Sequence, residues 1–221
     1  MGIRFCEAPF RRLTEAELAP WRRVPAAVAS DCQNRNMAMS GRIQALKPGW
    51  RICGQARTVA ATPGDNACVH WLCSTAQPGE VVVVAACGLV EVSMLGEMVT
   101  RQSLLRGLGG IVVDGAVRDT AAILDLDFPV FAAGRAPRGP HKEFGGYIDL
   151  PAAVGGVAVR PGDLILGDED GVAVVPLEKI EVVLELAHRH LEKEERWVKA
   201  LEDGRTLVEI FGVAPPEIAE C

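Results

Sequence analysis

Twenty residues separate Glu97 from the pair Arg118 and Asp119, within the segment GEMVTRQSLLRGLGGIVVDGAVRD at positions 96–119. An arginine can hold a carboxylate through two parallel hydrogen bonds, and an aspartate can bind a hard cation. A helix that begins near Glu97 would add unpaired backbone N–H groups, which attract anions. These residue types predict a site for a carboxylate ligand and a divalent metal. The same residues are also compatible with a structural role alone, in which Arg118 and Asp119 form a surface ion pair and the helix dipole stabilises Glu97.

The residues between the two ends of this segment predict a helix, a strand and a turn. The helix is expected over 98–106 and ends at Gly107, and an apolar strand follows over 111–113. Asp114–Gly115 has the composition of a tight turn. Such a turn would fold the arginine–aspartate pair back towards Glu97.

The rest of the chain predicts an α/β fold with a mixed sheet. Runs rich in β-branched residues occur at 52–59, 81–85, 111–113, 129–132, 156–159, 164–167 and 172–175. Helical stretches between the first runs indicate parallel βα units. The last three runs are close enough together to form an antiparallel meander.

Helical segments are expected at both ends of this core. Thr14 and Glu17 have the spacing of a capping box, and residues 26–32 are small and compatible with a helix. Apolar residues recur at helical spacing over 177–201, which predicts one helix of about 25 residues and more than ~35 Å.

The length of that helix suggests that it reaches a neighbouring subunit. Residues 204–221 are expected to form an irregular strap. We therefore predict a single core domain over 1–176 and a C-terminal extension over 177–221.

Composition narrows the class of function. The chain has 221 residues, is 49% hydrophobic and carries a formal net charge of −6. An acidic chain lacks the basic surface that binding to nucleic acid or to anionic membranes requires. The sequence shows neither a signal peptide nor an apolar run long enough to span a bilayer, so we expect a cytoplasmic protein that acts on small molecules.

The cysteines give no sign of disulfide bonds. There are seven, an odd number, and they are scattered without paired spacing, so we expect reduced thiols. Cys68, His70 and Cys73 could begin a zinc site, but no second pair follows. A helix that starts after Asp65 and buries Val69, Leu72 and Cys73, with the thiols as small apolar groups, is the simpler interpretation.

Two segments together resemble one family. The first segment, 96–119, has an acidic residue twenty residues before an Arg-Asp pair and ends in the string DGAVRD. The second segment, 129–176, contains the strings PGD and GDEDGVAVVP. They resemble the class II, metal-dependent pyruvate aldolases that cleave 4-hydroxy-4-methyl-2-oxoglutarate and 4-carboxy-4-hydroxy-2-oxoadipate. The same family contains the regulator of ribonuclease activity A. The resemblance extends over roughly residues 25 to 200. It implies a three-layer ββα fold of the swivelling-domain type, assembled as a trimer or hexamer.

The resemblance also implies roles for the first segment. Asp119 would ligate Mg²⁺ or Mn²⁺, and Arg118 would bind the 2-keto oxygen or the C1 carboxylate of an oxo acid. The carboxylate of Glu97 would hold a water on the metal. The C1 carboxylate would lie on the backbone amides of Gly96, Glu97, Met98 and Val99.

Other residues are weaker candidates. The family draws an acidic residue from the C-terminal helix of an adjacent subunit, and Glu194 is the best match, with Glu195 one position away. The same glutamates could form only a solvated helix face. Asp114 is expected near the site, and His141 and Lys142 could bind a distal carboxylate, although a loop histidine is also compatible with simple exposure.

Asp168, Glu169 and Asp170 resemble a calcium loop only in part, and we interpret them as a turn.

Three functions are compatible with the sequence. The first is a lyase that releases pyruvate from a 4-hydroxy-2-oxo acid and decarboxylates oxaloacetate as a side activity. The second is a lyase or decarboxylase of another substrate in the same fold. The third is a binding protein like the ribonuclease regulators, which are shorter and lack the long C-terminal helix.

Overall fold

A computed structural model describes residues 2–217 of the chain. The strands in chain order are β1 (Ile3–Phe5), β2 (Gln44–Ala45), β3 (Ile52–Ala61), β4 (Val81–Ala85), β5 (Ser93–Leu95), β6 (Gly110–Val117), β7 (Val130–Arg135), β8 (Gly146–Ile148), β9 (Ala152–Val154), β10 (Val157–Val159), β11 (Leu164–Asp168) and β12 (Gly171–Val175). The helices are α1 (Glu15–Leu18), α2 (Ala26–Asp31), α3 (Ala67–Thr75), α4 (Glu97–Leu105), α5 (Thr120–Asp125), α6 (Ile180–Glu202) and α7 (Leu207–Phe211).

Ten of the described strands form one mixed sheet with the continuous order β1-β8-β3-β4-β6-β7-β2. The central strands β3, β4, β6 and β7 are parallel to one another, and β5 pairs in parallel with the end of β6. The β11–β12 hairpin joins β3 in antiparallel fashion. The predicted α/β class with a mixed sheet is confirmed.

The layers follow from the alternation of side chains along the central strands. Val82 and Val84 of β4 belong to an apolar core shared with α3, α4 and α5. Val81 and Val83 belong to a second core, shared with β9, β10 and the β11–β12 hairpin. Because both faces of the parallel strands are covered, β4 is entirely apolar and β6 carries a single charged residue, as is typical of buried parallel sheets. A helical layer, the sheet and a second β layer result.

A third apolar core attaches the terminal helices to the outer face of the hairpin. Leu166 and Val175 pack there with Trp21 of an N-terminal 3₁₀ turn and with α2 and α6. Helix α6 has 23 residues, about 35 Å at 1.5 Å per residue, and confirms the predicted long helix. Its buried residues all lie before position 188, and Val198 beyond them is 54% exposed. The second half of α6 therefore extends away from the core.

The turn predicted at Asp114–Gly115 is wrong, because both residues lie inside β6. The Asp114 carboxylate accepts hydrogen bonds from the backbone N–H groups of Ala86 and Gly155, so the strand satisfies it without reversing. The pairing of β6 with β7 shifts register between Val113 and Ala116, which marks a bulge where a turn was expected.

Two further expectations need correction. The meander is only the β11–β12 hairpin, because β10 pairs with β9 in a separate ribbon. The C-terminal strap contains α7, which begins with a capping box between Thr206 and Glu209. Residues 218–221 of the strap lie outside the described residues. The capping box of Thr14 with Glu17, and the turn after Asp168, are confirmed.

Within residues 2–217, none of the helices is both long and apolar enough to cross a membrane. The described cysteines carry free thiols. Val69, Leu72 and Cys73 are buried in α3, as the helical interpretation of that segment predicts, and Cys68 is buried as well.

A buried ion-pair network ties the N-terminal segment to the sheet. Arg57 of β3 donates from Nε to Asp149 Oδ1 at 2.9 Å and from Nη1 to Glu80 Oε2 at 3.0 Å. Glu80 also accepts from Arg12 Nη1 at 2.8 Å. Because Arg57, Asp149 and Glu80 are nearly inaccessible to solvent, each charge depends on the others for compensation.

We predict that Arg57→Met lowers the free energy of unfolding by about 3 kcal/mol, because the Asp149 carboxylate stays buried without its cation and Glu80 is left with its ion pair to Arg12. Urea unfolding measures the change. Arg189→Met is the matched control, since it removes an exposed pair with Glu185 on α6 and should cost less than about 1 kcal/mol. Equal losses of unfolding free energy in the two variants would show that burial does not determine how much an ion pair contributes to stability.

Candidate active site

The ends of two neighbouring strands bring the predicted site together. Strand β5 pairs with β6 so that Leu95 lies beside Val117, and the N–H of Arg118 donates to the carbonyl of Leu95 at 3.0 Å. Parallel strands end at the same edge of a sheet. The start of α4 therefore lies against Arg118 and Asp119, although twenty residues separate them in the chain.

Asp119 has a left-handed backbone conformation, with φ 54° and ψ 37°. It occupies the position before α5, but its side chain does not cap that helix. Instead, Oδ2 accepts the N–H of Glu97 at 3.2 Å and lies 3.5 Å from Nε of Arg118. The carboxylate is thus directed at the positive end of α4 and at the arginine, while 43% of its side chain stays exposed.

Gly96 is required for this approach. A Cβ atom at position 96 would collide with Asp119 Oδ2 and would lie 2.9 Å from Cγ of Arg118. The backbone of Gly96 is extended, so its conformation is open to any residue and only the missing side chain matters. A Cβ at Gly139 would lie 2.6 Å from Arg118 Nη1, but this atom is the end of a flexible side chain that can shift.

A cavity of about 170 Å³ opens in front of these residues. It is lined by Asn66, His70, Leu95, Gly96, Met98, Val99, Arg118, Asp119, Pro140 and Lys142. A second cavity of about 340 Å³, lined in part by Thr120 and Arg135, also includes Arg118 and Asp119. The pair therefore borders two cavities.

The structure places the predicted residues of the first segment as follows. Gly96, Met98, Val99, Arg118 and Asp119 line the smaller cavity together. The N–H of Glu97 belongs to the cradle, but its carboxylate accepts from Arg101 Nε at 2.7 Å, one helical turn along α4. This pair is exposed, and such i,i+4 pairs contribute only about 0.3–0.5 kcal/mol, so the carboxylate can leave it at little cost.

Of the weaker candidates, Lys142 lines the cavity and the others do not. Lys142 lines the cavity, whereas His141 beside it is exposed and packs edge-on against Phe144. Asp114 is committed to the backbone bonds described above. Glu194 lies on α6 with its carboxylate 3.3 Å from His190 Nε2, and it is not among the residues that line the cavity within one chain.

Sequence reasoning missed Asn66 and His70 as cavity residues. They lie one turn apart at the start of α3, so they share a face of that helix. This i,i+4 spacing of polar residues, beside the apolar face of α3, is the signal that could have identified them. Burial lowers the pKa of His70, and the charge of Lys142 lowers it further, which favours a neutral ring at pH 7.

Asp65 holds the loop that carries Lys142 against α3. Its carboxylate is buried and accepts from the N–H groups of Glu143 at 2.7 Å and Phe144 at 3.0 Å. Burial raises the pKa of Asp65, but these N–H groups and those of neighbouring residues outweigh it, so the pKa lies below its usual value. The loop is therefore fixed by an ionised carboxylate.

Comparisons with known proteins show the family of the chain. Residues 22–174 match the family model described as RraA-like, Aldolase/RraA. The chain belongs to the Aldolase/RraA family, as the sequence motifs indicated.

Its relatives bear the names of both branches of the family. A protein of Halalkalibacterium halodurans, provisionally named as a 4-hydroxy-4-methyl-2-oxoglutarate aldolase, is 35% identical over 87% of this chain and 93% of its own. A Thermus thermophilus protein named 4-hydroxy-4-methyl-2-oxoglutarate aldolase is 35% identical over 57% of this chain and 76% of its own. These names support the lyase class.

The solved structure of Streptomyces coelicolor RraAS2, described as an unusual member of the RNase ES inhibitor RraA family, is also similar. It has a TM-score of 0.75 and 33% identity, over 85% of this chain and 98% of that one. The RNA-processing inhibitor RraA from Thermus thermophilus has a TM-score of 0.63 and 31% identity, over 68% of this chain and 92% of that one. The predicted fold is confirmed.

We predict that Gly96→Ala weakens binding of oxalate, a planar dianion, in the presence of Mg²⁺ by at least about tenfold, because the new Cβ displaces the Asp119 carboxylate. Isothermal titration calorimetry measures the affinity. Gly41→Ala is the control, since a Cβ at position 41 meets no atom within 4 Å and should change nothing. Undiminished oxalate binding in Gly96→Ala would contradict the importance of this contact.

Proposed function

We propose that the protein is a divalent-metal-dependent lyase that cleaves 4-hydroxy-4-methyl-2-oxoglutarate and similar 4-hydroxy-2-oxo acids to pyruvate, with oxaloacetate decarboxylation as a side activity. One observation carries the proposal: the Asp119 carboxylate lies between the N-terminus of α4 and the guanidinium of Arg118, at the wall of a cavity. The aldolase names of the relatives point in the same direction.

The residues present fit Mg²⁺ or Mn²⁺. No cluster of three or more His, Cys, Asp or Glu side chains suited to a metal occurs within residues 2–217, so these residues form no all-protein cage. Mg²⁺ keeps several waters and needs only one or two carboxylates from the protein. Asp119 would hold the ion through Oδ1, which makes no hydrogen bond to the described residues, because Oδ2 is already bound to Glu97 N–H.

Cleavage of the C3–C4 bond generates negative charge, which the site must stabilise. The C4 hydroxyl would give its proton to a base, a role that the Glu97 carboxylate would fill through a bound water. The C4–O bond then becomes a carbonyl, the C3–C4 bond electrons move into C2–C3, and charge appears on the 2-keto oxygen. Protonation of C3 would complete the release of pyruvate. A divalent ion acts as a Lewis acid in such reactions. Arg118 contributes a permanent cation at the same wall of the cavity, and its charge stabilises the oxyanion as it develops.

The remaining residues of the cavity orient the substrate. The backbone N–H groups at the start of α4, from Gly96 to Val99, form a cradle for the C1 carboxylate. Lys142 on the opposite loop supplies a cation for a distal carboxylate. A diacid held by the α4 cradle and by Lys142 would have its two ends fixed, with the bond to be broken lying between them.

The measurement that tests this proposal is pyruvate release, coupled to lactate dehydrogenase, from 4-hydroxy-4-methyl-2-oxoglutarate with Mg²⁺, with Mn²⁺ and with EDTA. We expect turnover that either metal supports and EDTA abolishes. Activity on oxaloacetate alone would indicate a different lyase. Absence of activity on both substrates would favour a binding role.

The binding role is the second candidate, because RraAS2 is similar to this chain over 98% of its own length. Removal of the chain from Glu194 onwards separates the two functions. A lyase that needs Glu194 loses turnover, whereas a protein that binds partners through the sheet keeps its affinity for them.

We also propose that the protein is a trimer or hexamer in which Glu194 completes the site of a neighbouring protomer. Helix α6 extends beyond its own core, and Val198 and Leu201 leave apolar surface on the extended part, 54% and 42% exposed. Glu194 is half-exposed and therefore accessible to another protomer.

Subunit complementation tests this arrangement. We predict that Asp119→Asn and Glu194→Gln are each inactive alone, and that mixed oligomers of equal parts recover about a quarter of wild-type activity, because one site in four then pairs an intact Asp119 with an intact Glu194. Glu192→Gln is the control, since it lies on the same helix and should keep its activity. No recovery on mixing would contradict a shared site.

A further inference from the structure

The buried carboxylate of Asp65 connects two separate segments of the cavity wall. Its oxygens accept hydrogen bonds from four backbone N–H groups, those of Ala67 at 2.9 Å, Glu143 at 2.7 Å, Phe144 at 3.0 Å and Gly145 at 3.3 Å. The first N–H group belongs to the start of α3, and the other three belong to the loop between β7 and β8. One carboxylate therefore binds this loop to the helix.

Backbone hydrogen bonds reinforce the contact between the loop and the start of α3. The N–H of His141 donates to the carbonyl of Gly64 at 2.8 Å, and the N–H of Asn66 donates to the carbonyl of His141 at 3.0 Å. Lys142 lies between these bonds and those that Asp65 accepts. Its backbone is therefore held on both sides.

The ammonium group of Lys142 is available to a ligand. Lys142 lines the same cavity as Arg118 and Asp119. The Asp119 carboxylate lies against Arg118, and Lys142 forms no salt bridge within residues 2–217. Burial, and then the charge of Lys142, lower the pKa of His70, which also lines the cavity, so the ammonium group lies near that ring. A cation in this place can bind the carboxylate of a ligand.

We propose that Asp65 is a positioning residue, which holds the Lys142 ammonium at the distal carboxylate of the substrate and so makes the cavity selective for 4-hydroxy-2-oxo diacids over monoacids. This assignment rests on the proposed lyase function. A lysine side chain loses conformational freedom when it binds, and a fixed backbone reduces the freedom that remains to be lost. Arg118 and Asp119 act on the 2-oxo acid end, which both classes of substrate share, so Asp65 affects only the diacids.

The test compares two acids that differ only in the distal group. 4-Hydroxy-4-methyl-2-oxoglutarate gives two molecules of pyruvate, whereas 4-hydroxy-4-methyl-2-oxopentanoate has a methyl group in place of the distal carboxylate and gives pyruvate and acetone. We expect the wild type to have a kcat/KM at least about tenfold higher for the diacid. Lys142→Met should lower the diacid value at least about tenfold, mainly through KM, and the monoacid value less than about threefold.

Asp65→Asn tests the positioning role directly, because the side chain keeps its size but loses its charge. We expect the diacid value to fall at least about fivefold, the monoacid value to change less than about threefold, and Lys142→Met to add no further loss in the double variant. Asp163→Asn is the matched control. Asp163 is also buried and accepts the backbone N–H groups of Arg160 and Leu177, but it does not line the cavity, so the variant should leave the ratio of the two values unchanged.

Hydrogen exchange on the wild type tests the assignment even if Asp65→Asn does not fold. The amide protons of Glu143 and Phe144 should exchange at least about a hundredfold more slowly than in an unfolded chain, because Asp65 accepts both. Rapid exchange of these protons, equal wild-type values for the two acids, or an unchanged ratio in Lys142→Met or in folded Asp65→Asn would overturn the assignment and leave the lyase function intact. A wild-type protein inactive on both acids would instead overturn the lyase function, and the assignment with it.

Discussion

The site depends on the short parallel pairing of β5 with the end of β6. A single backbone hydrogen bond, from Arg118 N–H to the Leu95 carbonyl at 3.0 Å, closes this pairing at its last position. One such bond contributes only about 1 kcal/mol, but its geometric effect is larger. It fixes the start of α4 against the residues that follow β6, and the missing side chain of Gly96 leaves room for the side chains of Asp119 and Arg118.

The left-handed backbone of Asp119 is the second constraint. Such a conformation costs of order 1 kcal/mol for a residue other than glycine, although aspartate tolerates it better than most. It turns the carboxylate away from the helix that Asp119 precedes and towards the N–H of Glu97. The fold therefore stabilises a half-exposed carboxylate in one orientation before any ligand arrives, and such preorganisation is what a catalytic metal site requires.

Much of this arrangement could be predicted from local sequence. The long apolar runs predicted the central strands correctly, because these strands are buried on both faces. The helical spacing of apolar residues over 177–201 predicted α6. The Asp114–Gly115 turn could not be judged locally, because the partners that keep Asp114 in a strand, Ala86 and Gly155, are distant in the chain. Asn66 and His70 were missed for the same reason: their role follows from a cavity that α3 shares with another part of the fold.

The most direct test of the central claim is a titration with Mn²⁺, followed by electron paramagnetic resonance, on the wild type and on Asp119→Asn. We expect one Mn²⁺ site per chain in the wild type and an affinity at least about a hundredfold lower in the variant, because the amide removes the only charged ligand proposed. Asp125→Asn, an exposed position at the end of α5, should bind as the wild type does. An Asp119→Asn variant that binds Mn²⁺ with unchanged affinity would contradict the account.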